Sequence, residues 1–368
     1  MSFMQKSRLI TGIILAISMA FATASSEACT SFVIKSNDGG YVYGRTLEFG
    51  IDLQSVPIAI PRNFSYAGTG VDNKPGKVWK TKYAAIGMNG IHLPVLVDGM
   101  NEKGLSGGML YAPNTAEYQD VSADDSANSI ASYEMLTYAL TNFATVDEAR
   151  EAFQHIMINK TGHAPFKGAV PVHMTLHDAT GKNLVIEYHH GKLAAYDNPT
   201  GAMTNDPDFA YHLANIGLYA NLSSKESAPL MVNGTAYSPP SSGSGLHGLP
   251  GDFLSPSRFI RVVMYSSAAS TALPADAQVV VAFHILNNFD IPPGAIQLSS
   301  DNPYGGGGGG FERTEWLSVA DAKNLVYYVK TFENPTVQML AMKDIDFNAK
   351  DIKVFQLQSN EVRLKITK

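Results

Sequence analysis

The sequence predicts a mixed α and β protein built largely from antiparallel hairpins. Short runs of β-branched, aromatic and aliphatic residues recur along the chain, closed by Asn, Asp and Gly residues that accept positive φ. Turn formers and β formers are abundant: 32 Gly, 19 Pro, 17 Tyr and 17 Phe in 368 residues. A few stretches carry an apolar stripe at helical spacing, several of them opening on a capping residue. Charged residues are only 16% and the net charge is −6, which excludes intrinsic disorder and offers no basic face for nucleic acid. No heptad or G-X-Y repeat runs through the chain, so coiled coil and collagen are excluded.

The first element is an address. Lys6 and Arg8 precede an uncharged apolar run over 9–24, and small residues stand at Ser26 and Ala28. That is the pattern of a cleaved signal peptide, and the run is short beside the ~20 residues of a spanning helix. The expected division is a signal segment over 1–28 and a single exported domain over 29–368, periplasmic or secreted. Cys29 is the only cysteine, so no intrachain disulfide forms, and cleavage after Ala28 makes it the first residue. The alternative is a surface-anchored lipoprotein, acylated at Cys29, that binds ligand without catalysis. Glu27 fits a lipidation signal poorly, and Thr30 to Ile34 run straight into a strand pattern instead of a polar tether.

Residues 32–35 and 41–49 flank Asn37-Asp38-Gly39-Gly40 and read as a β-hairpin. Strands are expected at 86–88 and 93–97, with Asn101-Glu102-Lys103-Gly104 a turn between 95–99 and 105–111. An amphipathic helix follows over 132–143. Thr145 and Glu148 form a capping box that opens a second helix over 146–157. Residues 170–177, 183–189 and 192–196 read as a meander. Helices are then expected at 208–219, at 255–267 with Pro256 in the first turn, and at 276–287. A Pro/Ser/Gly-rich loop spans 238–251, and several strands fill 316–364.

Three patterns carry no chemistry. His173 and His177 lie on a strand, where a spacing of four makes no helical metal pair, and no H-E-x-x-H occurs; no metal or cofactor is called for. The six glycines at 305–310 lack the G-K-[S/T] of a phosphate loop and read as a flexible surface loop. Gly104-Leu105-Ser106-Gly107-Gly108 matches G-x-S-x-G, but a turn precedes Ser106 and a strand-like run follows. Ser106 therefore reads as structural.

Cys29 carries the chemistry. A thiol on the first residue has a built-in base, since an α-amino group titrates near 7.7–8.0 and a thiol near 8.5. Nearby cations favour the thiolate. The hairpin folds Arg45 and Glu48 back toward Cys29.

Five signatures then occur in order: Cys29-Thr-Ser-Phe, Gly44-Arg-Thr-Leu-Glu48, Asn101-Glu-Lys-Gly-Leu105, Met203-Thr-Asn-Asp-Pro207, and the run Gly-Leu-Pro-Gly-Asp-Phe-Leu-Ser-Pro-Ser-Arg-Phe-Ile-Arg over 248–261. In these the chain resembles the choloylglycine hydrolase family, the penicillin V acylases and conjugated bile salt hydrolases, which are N-terminal nucleophile hydrolases. The resemblance implies an α+β, four-layer αββα fold with two antiparallel sheets between helical layers. It implies hydrolysis of a non-peptide C–N amide bond in a small acyl amide, without a cofactor, by a homotetramer. It matches Cys29 to the nucleophile, Arg45 to the arginine beside it, and Asn205 to an oxyanion-hole asparagine. Arg258 matches a second active-site arginine. Tyr111 falls where bile salt hydrolases usually have Asn and penicillin V acylases often Tyr, its backbone N–H being the second oxyanion donor. Glu48 stands where the family usually has Asp contacting the N-terminal cysteine. Tyr111 tilts the expected substrate toward penicillin V or N-acyl homoserine lactones, with conjugated bile salts as the alternative.

Overall fold

The computed structural model describes residues 28–166, 168–299, 310–363 and 365–366. The expected signal segment, apart from Ala28, and glycines 305–309 lie outside the described residues. Two antiparallel sheets are built from β1 (Cys29–Lys35), β2 (Tyr41–Phe49), β3 (Pro57–Ile60), β4 (Ala85–Met88), β5 (Asp98–Asn101), β6 (Ser106–Tyr111), β7 (Val172–His177), β8 (Asn183–His189), β9 (Lys192–Asp197), β10 (Ile296–Gln297), β11 (Phe311–Asp321), β12 (Val326–Thr331), β13 (Gln338–Ala341) and β14 (Lys353–Val354). The first sheet runs β1-β2-β11-β12-β13, with β10 pairing to β11. The second runs β9-β8-β7-β6-β5-β4-β3-β14.

The helices are α1 (Met135–Asn142), α2 (Val146–Phe153), α3 (Phe209–Ile216), α4 (Ser255–Ala268) and α5 (Ala275–Leu286). Helices α4 and α5 pack on the first sheet, α1 and α2 on the second, and β1 and β2 face β6 across the middle. This is the expected four-layer αββα sandwich. One apolar core fills the space around the first sheet with Phe32, Tyr43, Leu286 and Trp316. A second lies between the other sheet and α1 and α2, with Leu136, Leu140, Phe153 and Ile186. Burial of such side chains supplies roughly 25 cal/mol per Å² of apolar surface.

The expected hairpin, meander and helices appear close to their predicted places. Thr145 caps α2 by accepting from the Glu148 N–H at 3.2 Å, and Glu148 reaches back to the Ala144 N–H at 2.7 Å. Two expectations shift. Residues 93–97 form a loop, and the strand is Asp98–Asn101. Pro94 has no N–H to give a ladder, and the Leu96 N–H is taken by Thr137 Oγ1 at 2.7 Å. The second helix stops at Phe153, because the Gln154 N–H closes on the Glu151 carbonyl as a tight turn. Met157 instead starts a short strand, Met157–Asn159, parallel to Ser129–Ala131. Ser106 is buried in β6 with its Oγ 2.9 Å from Tyr41 Oη, a strand residue and not a nucleophile elbow.

Strands β4 and β5 approach closely where Gly87 pairs with Gly99. A Cβ on Gly87 would stand 1.9 Å from the Asp98 carbonyl oxygen and 2.6 Å from the Gly99 Cα, both backbone atoms that cannot swing aside. Gly87→Ala should therefore lower the unfolding free energy by about 2–3 kcal/mol. Urea denaturation followed by fluorescence checks this; an unchanged midpoint would show that the strands separate without strain.

Candidate active site

Cys29 opens β1 and is buried, with 2% of its surface exposed. Antiparallel pairing sets it opposite Leu47 and sets Ser31 opposite Arg45. Alternation then gives β2 two faces. Arg45, Leu47 and Phe49 share the face that carries the Cys29 side chain. Thr46 and Glu48 turn to the opposite face, toward Arg258 of α4.

On the thiol face, the Arg45 Nη2 lies 3.6 Å from Cys29 Sγ. The guanidinium is held from the second sheet: Nη1 donates to the Val97 carbonyl and Nη2 to the Met109 carbonyl, both at 2.6 Å. Asp98 Oδ2 is 3.7 Å from Nη1, both residues being buried. Asp98 also accepts from Tyr43 Oη at 2.9 Å, Tyr327 Oη at 2.5 Å and Ser318 Oγ at 2.7 Å. Burial pushes the Cys29 thiol up, against the pull of the Arg45 charge, and the Glu48 charge adds to the rise.

On the other side, the segment carrying Asn205 is tied to β1 by backbone alone. The Ser31 N–H donates to the Met203 carbonyl at 2.8 Å, and the Met203 N–H returns the bond at 3.0 Å. Two residues on, Asn205 Oδ1 accepts the Cys29 N–H at 2.6 Å and Arg258 Nη2 at 2.7 Å. Its Nδ2 donates to the Tyr111 carbonyl at 2.8 Å. Arg258 Nη1 also donates to the Cys29 carbonyl at 2.5 Å and to Thr30 Oγ1 at 2.9 Å. His212 on α3 touches the Asn205 carbonyl at 2.8 Å, and Ser255 Oγ accepts the Asn205 N–H at 2.9 Å. Both faces of the asparagine loop are thereby fixed.

The structure thus gathers Cys29, Arg45, Asn205, Arg258, Tyr111 and Glu48 into one region. Glu48 differs in contact from the expectation. Its Oε1 accepts from Thr314 Oγ1 at 3.2 Å, and the Cys29 nitrogen goes to Asn205 instead. Two acidic residues escaped sequence reasoning. Asp98 carried a signal, a lone carboxylate inside the apolar run 93–100, which a buried cation must match. Glu312, in β11, accepts the Ala28 N–H and is fully buried.

An apolar cavity of about 70 Å³ opens beside Cys29, lined by Leu47, Phe49, Leu53, Ile91, Tyr111 and Phe166 among others. Phe49 and Tyr111 meet edge to face at 5.6 Å between centroids, and Phe166 stands 6.2 Å from Phe49.

Two antiparallel sheets between helical layers, with this cluster at the head of the first strand, define the N-terminal nucleophile hydrolase fold. Within that class, the model of the linear amide C–N hydrolases, choloylglycine hydrolase family, matches residues 29–355, and the chain belongs to that family. It is 30% identical over 333 residues to the bile salt hydrolase/transferase of Clostridium perfringens, covering 89% of this chain and 96% of that protein. It is 24% identical over 355 residues to the penicillin V acylase of Pectobacterium atrosepticum, covering 90% and 85%. A crystal structure of a conjugated bile acid hydrolase variant from Clostridium perfringens superposes with a TM-score of 0.80 at 28% identity, over 92% of this chain and all of that one. The penicillin V acylase of Agrobacterium tumefaciens gives 0.73 at 23% identity, over 92% and 94%, a likeness of fold. The protein is a linear amide C–N hydrolase.

Removing Asp98 leaves a buried guanidinium without its counter-charge, a change that costs about 3–5 kcal/mol. Tyr327→Phe removes one hydrogen bond and should cost about 1 kcal/mol. Chemical denaturation of Asp98→Asn and Tyr327→Phe compares the two. Equal losses would mean that Arg45 does not depend on the carboxylate.

Proposed function

We propose that export frees Cys29 as the first residue, and that its thiol is the nucleophile cleaving an acyl amide with a slender apolar acyl group. One observation carries this reading: the two reactive atoms of a single residue are each held, Sγ by Arg45 at 3.6 Å and the nitrogen by Asn205 Oδ1 at 2.6 Å, beside an apolar cavity. Cleavage ahead of Cys29 turns that nitrogen into an amine. The thiol proton passes to it as Sγ attacks the amide carbonyl. The second N–H of Asn205 Nδ2 and the Tyr111 backbone N–H stabilise the oxyanion. The register supports the latter: Ala112 donates to the Pro171 carbonyl, so ladder alternation directs the Tyr111 polar groups away from β7. Collapse expels the amine, which takes the proton from the α-ammonium. Water then releases the acid from the thioester and restores the thiol. No metal or organic cofactor enters this scheme.

The acyl group is phenoxyacetyl or an aliphatic chain, as in penicillin V or N-acyl homoserine lactones. The cavity is less than half the ~150 Å³ that admits a benzene ring in an apolar core, so its aromatic wall yields to a slim group more readily than to a steroid. The names of the relatives favour conjugated bile salts as the second reading. Assay of the mature protein on all three classes decides: fastest turnover of bile salts would overturn the first. Asn205→Ala should lower kcat by about 10²–10³-fold, and Cys29→Ala should fold and be inert. Wild-type turnover in Asn205→Ala would remove the asparagine from the oxyanion site.

Processing and assembly belong to the same reading. One extra residue ahead of Cys29 converts the base into an amide nitrogen and should abolish activity. Intact mass should show an unmodified amino-terminal Cys29; a diacylglyceryl group there would establish the anchored, non-catalytic alternative. A homotetramer is proposed by family likeness, supported by the outward hairpin Leu230–Val232 and Thr235–Tyr237, which exposes Leu230, Met231 and Tyr237. Sedimentation equilibrium measures it.

A further inference from the structure

Glu312 lies on the same face of the first sheet as Glu48, because Thr314, two residues along β11, pairs directly with Glu48. Its Oε1 accepts the N–H of Ala28, and Glu312, Glu48 and Ala28 are all fully buried. The second oxygen of each carboxylate, Oε2 of Glu312 and Oε2 of Glu48, has no partner among the described residues. Both acids face one cation, Arg258, whose hydrogen bonds go elsewhere: to Cys29, Thr30, Asn205 and Phe253. Two carboxylates buried against one guanidinium leave a negative charge unmatched, and a buried, unmatched charge is costly. Burial accordingly pushes the Glu312 carboxyl up to about 7 and that of Glu48 well above its ordinary range.

Cleavage between Ala28 and Cys29 changes this balance. It removes the N–H that Glu312 accepts and creates an ammonium one residue on, about 3.5 Å along the chain. We infer that Glu312 is a positioning residue of the mature enzyme, which together with Glu48 holds the α-ammonium of Cys29 against Asn205 Oδ1. The inference rests on the reading that Cys29 is the N-terminal nucleophile. When Sγ bonds to the acyl carbon, its proton sits on the α-amino nitrogen, and the two carboxylates stabilise that cation until the leaving amine takes the proton. The charged groups acting on the Cys29 residue are Arg45 and Glu48 from β2 and Arg258 from α4, with Asn205 Oδ1 on its nitrogen; Asp252 acts on Arg258, and Arg258 on His212. Burial pushes His212 down to about 4, so it is neutral here.

The test compares wild type, Glu312→Gln and Glu312→Asp, each with its mature amino terminus verified by intact mass. Two readouts are taken against pH: kcat/KM on the best acyl amide, and the rate of Cys29 alkylation by iodoacetamide. An anion beside an ammonium raises its pKa, so removing the anion lowers it. Glu312→Gln should move the acid limb of both profiles down by about 1 pH unit, and Glu312→Asp, which keeps the charge, should move it less. A lowered Tm with both limbs unmoved would overturn the inference and leave Glu312 a fold residue. If the wild type hydrolyses no amide while the alkylation limb still shifts, the Glu312 assignment stands and the substrate reading falls. An active wild type with residues still ahead of Cys29 would overturn both. Should Glu312→Gln not fold, Glu312→Leu, which also removes the charge, carries the comparison: a lowered acid limb supports the role and an unmoved one removes it.

Discussion

A guanidinium buried between two sheets must find all its partners indoors. Arg45 leaves the first sheet and ends against the Val97 and Met109 carbonyls and Asp98 of the second. Asp98 in turn gathers hydroxyls from Tyr43, Ser318 and Tyr327, all of the first sheet. The polar cluster therefore crosses the sandwich, and the spacing of the sheets is tied to it. Hydrophobic burial holds the layers together, but it is non-directional. The directional bonds fix where the charge that faces Cys29 Sγ stands.

Strand alternation then separates two kinds of chemistry within one hairpin. The face of β2 bearing Arg45, Leu47 and Phe49 gives the sulfur a cation and an apolar cavity. The face bearing Thr46 and Glu48 looks to Arg258 and, through β11, to Glu312. Cys29 sits at the strand end where both faces are reachable, with its side chain on one and its main-chain nitrogen bonded to Asn205. A one-residue slip in the β1–β2 register would exchange the two environments.

The sequence made the hairpin legible because Asn37-Asp38-Gly39-Gly40 marks its turn and because Cys29, Arg45 and Glu48 lie on its two arms. The helix that carries Arg258 was legible from Pro256 in its first turn, but Arg258 itself was reached through the family motif. Asn205 was reached through its motif, since nothing local in Met203–Pro207 says that its backbone pairs with Ser31, a contact across more than 170 residues. The strand at 98–101 was misplaced because an apolar run over 93–97 scores as a strand while Pro94 and Thr137 disqualify it, and only the fold reveals Thr137. Asp98 and Glu312 stayed hidden for a related reason: a single carboxylate on a strand reads as solvated until its neighbours from other strands are known.

The pair of backbone bonds between Ser31 and Met203 has one more consequence. Strand β1 ends its sheet on one side, so its outer N–H and C=O groups form a template on which another chain could stack. The Met203 bridge occupies that template beside Cys29, using main-chain atoms only. The loop that delivers the asparagine is thus also a guard against aggregation. Because the guard is written in backbone, the side chain at position 203 is not what makes these two bonds.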